Sequence, residues 1–207
     1  MTVLKWTDSM CSYVADCLTE TGIIRENEKE IYSYCFGFLA DLIFYNISVL
    51  IIGGFLGNFQ IAFLYILVMS PTKMMAGGMH APTPLICDII SYSVSLSVIV
   101  FTPKIAPQIP PLYLLSVYLI CYIFIIILSP VGTKNKRYSK VQKVNLKKYC
   151  FLYLSAISLI YLIFFINKMS AYYGIISTCT AIILINQVIG IIINVKEQRY
   201  DLKNSNV

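Results

Sequence analysis

The chain is predicted to be an all-α polytopic membrane protein, with about six transmembrane helices and a Gly/Pro-broken segment between the second and third. Three observations predict this. Of 207 residues, 58% are hydrophobic and only 13% charged, and the mean hydropathy is +0.75. Soluble domains carry about 25% charged and about 45–50% apolar residues. Six apolar segments can be drawn, at residues 35–52, 55–70, 87–101, 112–129, 150–166 and 172–195. The basic residues fall almost wholly on one side of the topology these imply.

The elements follow in order. In residues 1–34, Trp6, Met10, Tyr13, Val14, Cys17 and Leu18 keep helical spacing, while Asp8, Asp16 and Glu20 fall off that stripe. This predicts an interfacial amphipathic helix, ended by Gly22. The first span carries Asp41 six residues in. Gly53-Gly54-Phe55-Leu56-Gly57-Asn58 makes a tight turn into the second. A spanning helix needs about 20 apolar residues. The second and third segments are shorter, so they either borrow residues from the stretch between them or enter the bilayer only partly, which would leave four full spans. Prolines 103, 107, 110 and 111 separate the third and fourth spans. A basic loop covers 130–149. The expected organisation is an N-terminal interfacial helix at 1–34, a membrane domain at 35–195 and a tail at 196–207.

Charge sets the orientation. With the N-terminus in the cytoplasm, fourteen of sixteen Lys/Arg residues lie inside, and only Lys104 and Lys168 outside. The positive-inside rule therefore predicts a multi-pass protein of a cell membrane, with both termini and the His80–Cys87 segment on the cytoplasmic side. Seven basic residues crowd the 130–149 loop: Lys134, Lys136, Arg137, Lys140, Lys143, Lys147 and Lys148. No nucleic-acid motif accompanies them. Orientation alone accounts for them; contact with anionic lipid or an acidic peptide is compatible with it. The seven cysteines are odd in number and form no CxxC pair, and the sequence has one histidine and no HExxH. No disulfide framework, metal site or cofactor is expected.

The chemistry-bearing residues lie in the polar break. His80 is the sole histidine, and Cys87 follows seven positions later. On one straight helix the two would stand about 10.5 Å apart, beyond hydrogen-bond reach. Pro82 and Pro84 oppose a continuous helix and let the chain turn there. Thr83 fits an N-cap and Pro84 the first helical position. Cys87 then falls at the end of a first turn, where the helix dipole favours negative charge. A cysteine with an imidazole nearby is the usual makeup of a thiol nucleophile and its base; a structural histidine and a span cysteine are the plain alternative. Gly77 and Gly78 would let a substrate backbone approach, or act only as a hinge. Lys73 fits a substrate carboxylate or ordinary snorkelling. Asp88 would orient His80 only with difficulty, because neighbours on a helix point about 100° apart. Asp41 is placed as a structural ion-pair partner of Lys73, or as an intramembrane functional group. Asn186 and Gln187 read as interhelical or subunit hydrogen-bonding groups, which keeps a homodimer among the expected assemblies.

Two runs resemble the AgrB family (accessory gene regulator protein B), bacterial membrane cysteine endopeptidases. One is Lys73 to Cys87, with Gly77-Gly78-Met79-His80-Ala81 inside it. The other is Leu128-Ser129-Pro130-Val131-Gly132-Thr133-Lys134-Asn135-Lys136. Many members carry arginine where this chain has Lys73; lysine keeps the charge and loses the bidentate fork. The resemblance implies that Cys87 is the nucleophile and His80 the base. It implies as partner an AgrD-like quorum-sensing precursor with an amphipathic leader, a signal core and an acidic tail. Cys87 would cleave the tail through an acyl-thioester, and an internal Cys or Ser of the peptide would then close a thiolactone or lactone ring. Lys134, Lys136 and Arg137 would meet the acidic tail, and the leader would lie on membrane lipid beside the N-terminal helix. The competing reading is a non-enzymatic small membrane transporter or peptide exporter, whose path Asp41, Asn186 and Gln187 would line.

Overall fold

The computed structural model describes residues 2–79, 83–132 and 138–204, with side chains described for all of these but 2–9, 84 and 197–204. His80, Lys134, Lys136 and Arg137 lie outside the described residues. Among those described there are seven α-helices and no strand. They are α1 (Thr2–Glu20), α2 (Lys29–Phe55), α3 (Phe59–Ala76), α4 (Pro84–Ile105), α5 (Pro111–Leu128), α6 (Lys140–Ile166) and α7 (Ser170–Asn204). Six segments built on α2 to α7 are long and apolar enough to cross a membrane. The chain forms two compact units, Met1–Ile51 and Ile52–Val207.

In the first unit, α1 ends as the sequence predicts. Gly22 takes φ +70°, and the amide of Ile23 bonds back to the Leu18 carbonyl at 3.0 Å. Positive φ costs glycine nothing, which suits it to closing a helix. Met10, Tyr13 and Val14 are exposed, while Cys11 and Ala15 are buried. Of the predicted apolar stripe, Met10, Tyr13 and Val14 lie on an open face of α1, and Cys17 and Leu18 are half-buried. Lys29 at the start of α2 pairs with Asp16 of α1.

In the second unit, the two short segments lengthen into helices long and apolar enough to be candidate spans. α3 has 18 residues and α4 has 22, about 27 and 33 Å of helix. The hydrocarbon core is about 30 Å thick. Each helix achieves this by running through a proline, Pro71 in α3 and Pro103 in α4. Proline has no N–H, so the carbonyl four residues earlier loses its partner. In α3 that carbonyl belongs to Leu67, and the hydroxyl of Tyr153 on α6 donates to it. In α4 it belongs to Ile99, and Asn58 Nδ2 donates to it at 3.4 Å. Side chains from neighbouring segments thus repair both breaks. Tyr153→Phe is expected to cost about 1–3 kcal/mol, the cost of an unsatisfied buried acceptor. Thermal unfolding in one detergent would check this, and an unchanged midpoint would contradict it.

The basic stretch is only partly a loop. Ser139 Oγ accepts from the Gln142 amide at 3.2 Å, and Gln142 Oε1 accepts from the Ser139 amide at 2.9 Å. This capping box starts α6 at Lys140, ten residues before the predicted span. Lys140, Lys143 and Lys147 fall on one helical face and are exposed.

α7 is the hub of the second unit and packs against α3, α4, α5 and α6. At one end, Tyr118, Tyr161 and Tyr173 cluster, with the first two stacked at 4.3 Å. Further along lies a core of Ala76, Cys121, Ile125, Cys150, Leu154 and Ile183. That core carries the last residue of α3, and the polar break begins directly above it.

Candidate active site

α3 ends where helix geometry becomes impossible for any residue but glycine. Gly77 adopts φ 72°, ψ −164°, and its amide closes the helix on the Lys73 carbonyl at 3.0 Å. Only glycine visits this region freely. Gly78 follows at φ 143°. The turned chain is caught on two sides. From one side comes the loop after α5. The Val131 amide donates to the Ala76 carbonyl at 2.9 Å, and Gly77 pairs with Val131 in an isolated parallel bridge. A Cβ on Gly77 would run into the Val131 carbonyl oxygen.

From the other side comes α7. The Met79 amide points at Asn186, with the backbone oxygen at 3.3 Å and Oδ1 at 3.2 Å. Gln187 is fully buried; its Nε2 donates to the Ala76 carbonyl at 3.1 Å and to Ser129 Oγ at 3.0 Å. Gly190 lies against the Gly78–Met79 peptide, where a Cβ would come within 2.8 Å of the Gly78 carbonyl carbon. Asn194 Nδ2 donates to the Gly132 carbonyl at 2.6 Å. The segment leading to His80 and the loop leading to Lys134 are therefore anchored on the same face of one helix.

Cys87 stands in the first turn of α4, at the position the sequence assigns it. Thr83 is the N-cap and accepts from the Ile86 amide at 3.4 Å, and Pro84 occupies the first turn. The Cys87 amide bonds to the Thr83 carbonyl at 3.1 Å. The second unit holds four cysteines. Cys121, Cys150 and Cys179 are buried, whereas Cys87 is half-buried. Cys87 is thus the thiol there that a reagent can reach without local unfolding. Asp88 beside it is exposed.

Among the other predicted residues, Lys73 lies in the last turn of α3, where a cation complements the helix dipole. Gly77 and Gly78 are in the clamp. Asp41 belongs to the first unit and Lys73 to the second. Among the described residues no group of three His, Cys, Asp or Glu could hold a metal ion. For Gln187 the interhelical reading of the sequence is the right one, since it ties α7 to the last carbonyl of α3. Gly190, Asn194, Ser129 and Val131 were not singled out. For Gly190 and Asn194 one signal existed: Asn186, Gly190 and Asn194 recur every four residues, non-aliphatic positions on one face of the apolar stretch 181–195.

Searches of curated proteins and of solved structures returned no match. The family model for Accessory gene regulator B matches residues 11–191, nearly the whole chain and both runs that carry the resemblance. Six apolar spans and this match together make the protein a multi-pass membrane protein. The chain belongs to the AgrB family, and its work lies in accessory-gene-regulator autoinducer peptide processing.

Proposed function

We propose that the protein is a membrane-embedded cysteine endopeptidase and cyclase for an AgrD-like precursor, with Cys87 as nucleophile and His80 as base. The observation that carries this is the setting of Cys87. It is the accessible thiol of its unit, in the first turn of a capped, proline-led helix. Helix N-termini favour the negative charge that an attacking sulfur carries.

The reaction balances without a cofactor. His80 takes the Cys87 proton, and the sulfur attacks the carbonyl at the core–tail junction. The C–N bond breaks as His80 returns that proton to the departing amine, and the tail leaves. The core remains as a thioester on Cys87. An internal Cys or Ser of the peptide then gives its proton to His80 and attacks the same carbonyl. The Cys87–acyl bond breaks, Cys87 is reprotonated, and a thiolactone or lactone is released. With an internal Cys, thioester exchange trades like for like and ring closure keeps most of the activation; with Ser, the acyl group passes to a less activated oxygen ester.

The positive-inside rule puts this segment at the cytoplasmic face, and the precursor's leader on the inner leaflet beside α1. The acidic tail would meet the basic stretch. Lysines at a helix N-terminus oppose the dipole, and Lys140, Lys143 and Lys147 add their charge there. Such a surface attracts an anionic partner. Changing Lys134, Lys136, Arg137 and Lys140 together to Gln is expected to weaken precursor binding about tenfold at low salt, and less at high salt. Unchanged processing would reject the tail-binding role.

A transport path would need accessible polar groups. Gln187, a candidate for lining one, is fully buried and bonded to Ala76 and Ser129. Tail release in liposomes separates the two readings: a transporter tolerates Cys87→Ser, and a cysteine peptidase does not.

A further inference from the structure

We infer that Asn186, Gln187 and Gly190 of α7 are positioning residues for the acyl-transfer step: they fix the backbone of residues 76–79 and hence the point from which His80 departs. The inference rests on the Cys87 and His80 reading above. It reaches residues that no part of that reading uses.

The chain that leaves α3 needs an external restraint. Gly77 and Gly78 both take positive φ, and glycine resists backbone rotation least. A base must stay within hydrogen-bond reach of its nucleophile. Two loose residues three and two positions before His80 would otherwise spread it over many positions. α7 supplies the restraint three times over. Asn186 holds the Met79 amide with both its backbone oxygen and its side-chain oxygen. Gly190 provides a notch in which backbone meets backbone; its Cβ would lie 2.8 Å from the Gly78 carbonyl carbon and 2.9 Å from the Met79 nitrogen. Gln187 pins the Ala76 carbonyl from below.

The Gln187 amide shows that this arrangement does more than fill space. A carbonyl can only accept, so the amide nitrogen must face Ala76. The same nitrogen reaches Ser129 Oγ, leaving that hydroxyl's proton free for Cys150 Sγ at 3.6 Å. Among the described residues the buried amide oxygen meets no donor. An unsatisfied buried acceptor is costly, and leucine would fill the space without that cost. The two bonds its nitrogen donates tie α7 to the end of α3 and to the loop after α5, so the amide's place is set by polar partners as well as by packing.

The test uses the full-length protein in liposomes with an AgrD-type precursor peptide. It reads single-turnover tail release, precursor affinity and thermal unfolding. Asn186→Leu keeps the branched shape and the number of heavy atoms and removes the side-chain acceptor. It is expected to slow tail release about 10–100-fold, with affinity held within about threefold. Asn186→Asp restores an acceptor and should recover most of the rate. Gly190→Ala should slow release like Asn186→Leu. In a His80→Ala background, adding Asn186→Leu should cost nothing further, because it acts through the residue already removed. Equal slowing in both backgrounds, no rescue by Asp, or lost affinity at an unchanged rate would overturn the positioning role. Because Asn186→Leu leaves the Gly190 notch intact, it keeps the test open if Gly190→Ala does not fold. A wild-type protein that releases no tail would overturn the peptidase reading itself. A wild-type protein that works, beside an Asn186→Leu variant that works equally well, would sink only the inference.

Discussion

Gly77→Ala is expected to destabilise the protein by about 2–5 kcal/mol and to slow tail release about 100-fold or more. Two costs combine. The backbone at Gly77, φ 72° and ψ −164°, lies in a region that is essentially glycine-only. The added methyl also meets the Val131 carbonyl oxygen, which is fixed by the bridge to this same residue. Neither side can yield cheaply, so residues 76–79 must shift relative to α7 and the loop after α5. Gly57→Ala is the matched control. Gly57 also has positive φ, at 71°, but nothing lies within 4 Å of its Cβ position. It should lose some stability and keep its rate once folded. Equal activity of the two variants, measured on folded protein, would contradict the account.

His80→Ala is expected to lower the acylation rate about 10²–10⁴-fold, the usual contribution of a positioned general base. No other imidazole exists in the chain to take over, since His80 is its sole histidine. Precursor affinity should stay nearly unchanged, because the loss falls on the transition state and not on binding. Added imidazole should restore part of the rate in this variant and leave Cys87→Ala inactive. Full activity in His80→Ala would remove the base from the mechanism. A purely structural histidine would instead show lost folding and no imidazole rescue.

Much of the fold was legible because membrane helices announce themselves by composition. The cap and leading proline of α4 were also legible, since Thr83-Pro84 is a local signal and needs no partner. The ends of α3 and α6 were not. Pro71 marks a stop by local rules, and the helix continues to Ala76 with the orphaned Leu67 carbonyl met by a hydroxyl from Tyr153, 86 positions beyond Leu67. Ser139 and Gln142 were a readable capping box, masked by the lysines around them. The clamp was the hardest feature to read. Asn186 and Gln187 stood out as polar residues in an apolar span, but their targets are backbone groups of Ala76 and Met79. A backbone carbonyl or amide has no letter in the sequence. The same holds for Gly190, whose need for hydrogen in place of a methyl comes from the Gly78–Met79 peptide lying against it.

The most direct test of the central claim is the intact mass of the purified protein after mixing with its precursor peptide. The account predicts a hydroxylamine-labile adduct equal to the precursor minus its tail. It should map to Cys87, be absent in Cys87→Ala and be formed slowly in His80→Ala. Tail release by a folded Cys87→Ala protein, or an adduct on any of the other six cysteines, would contradict it.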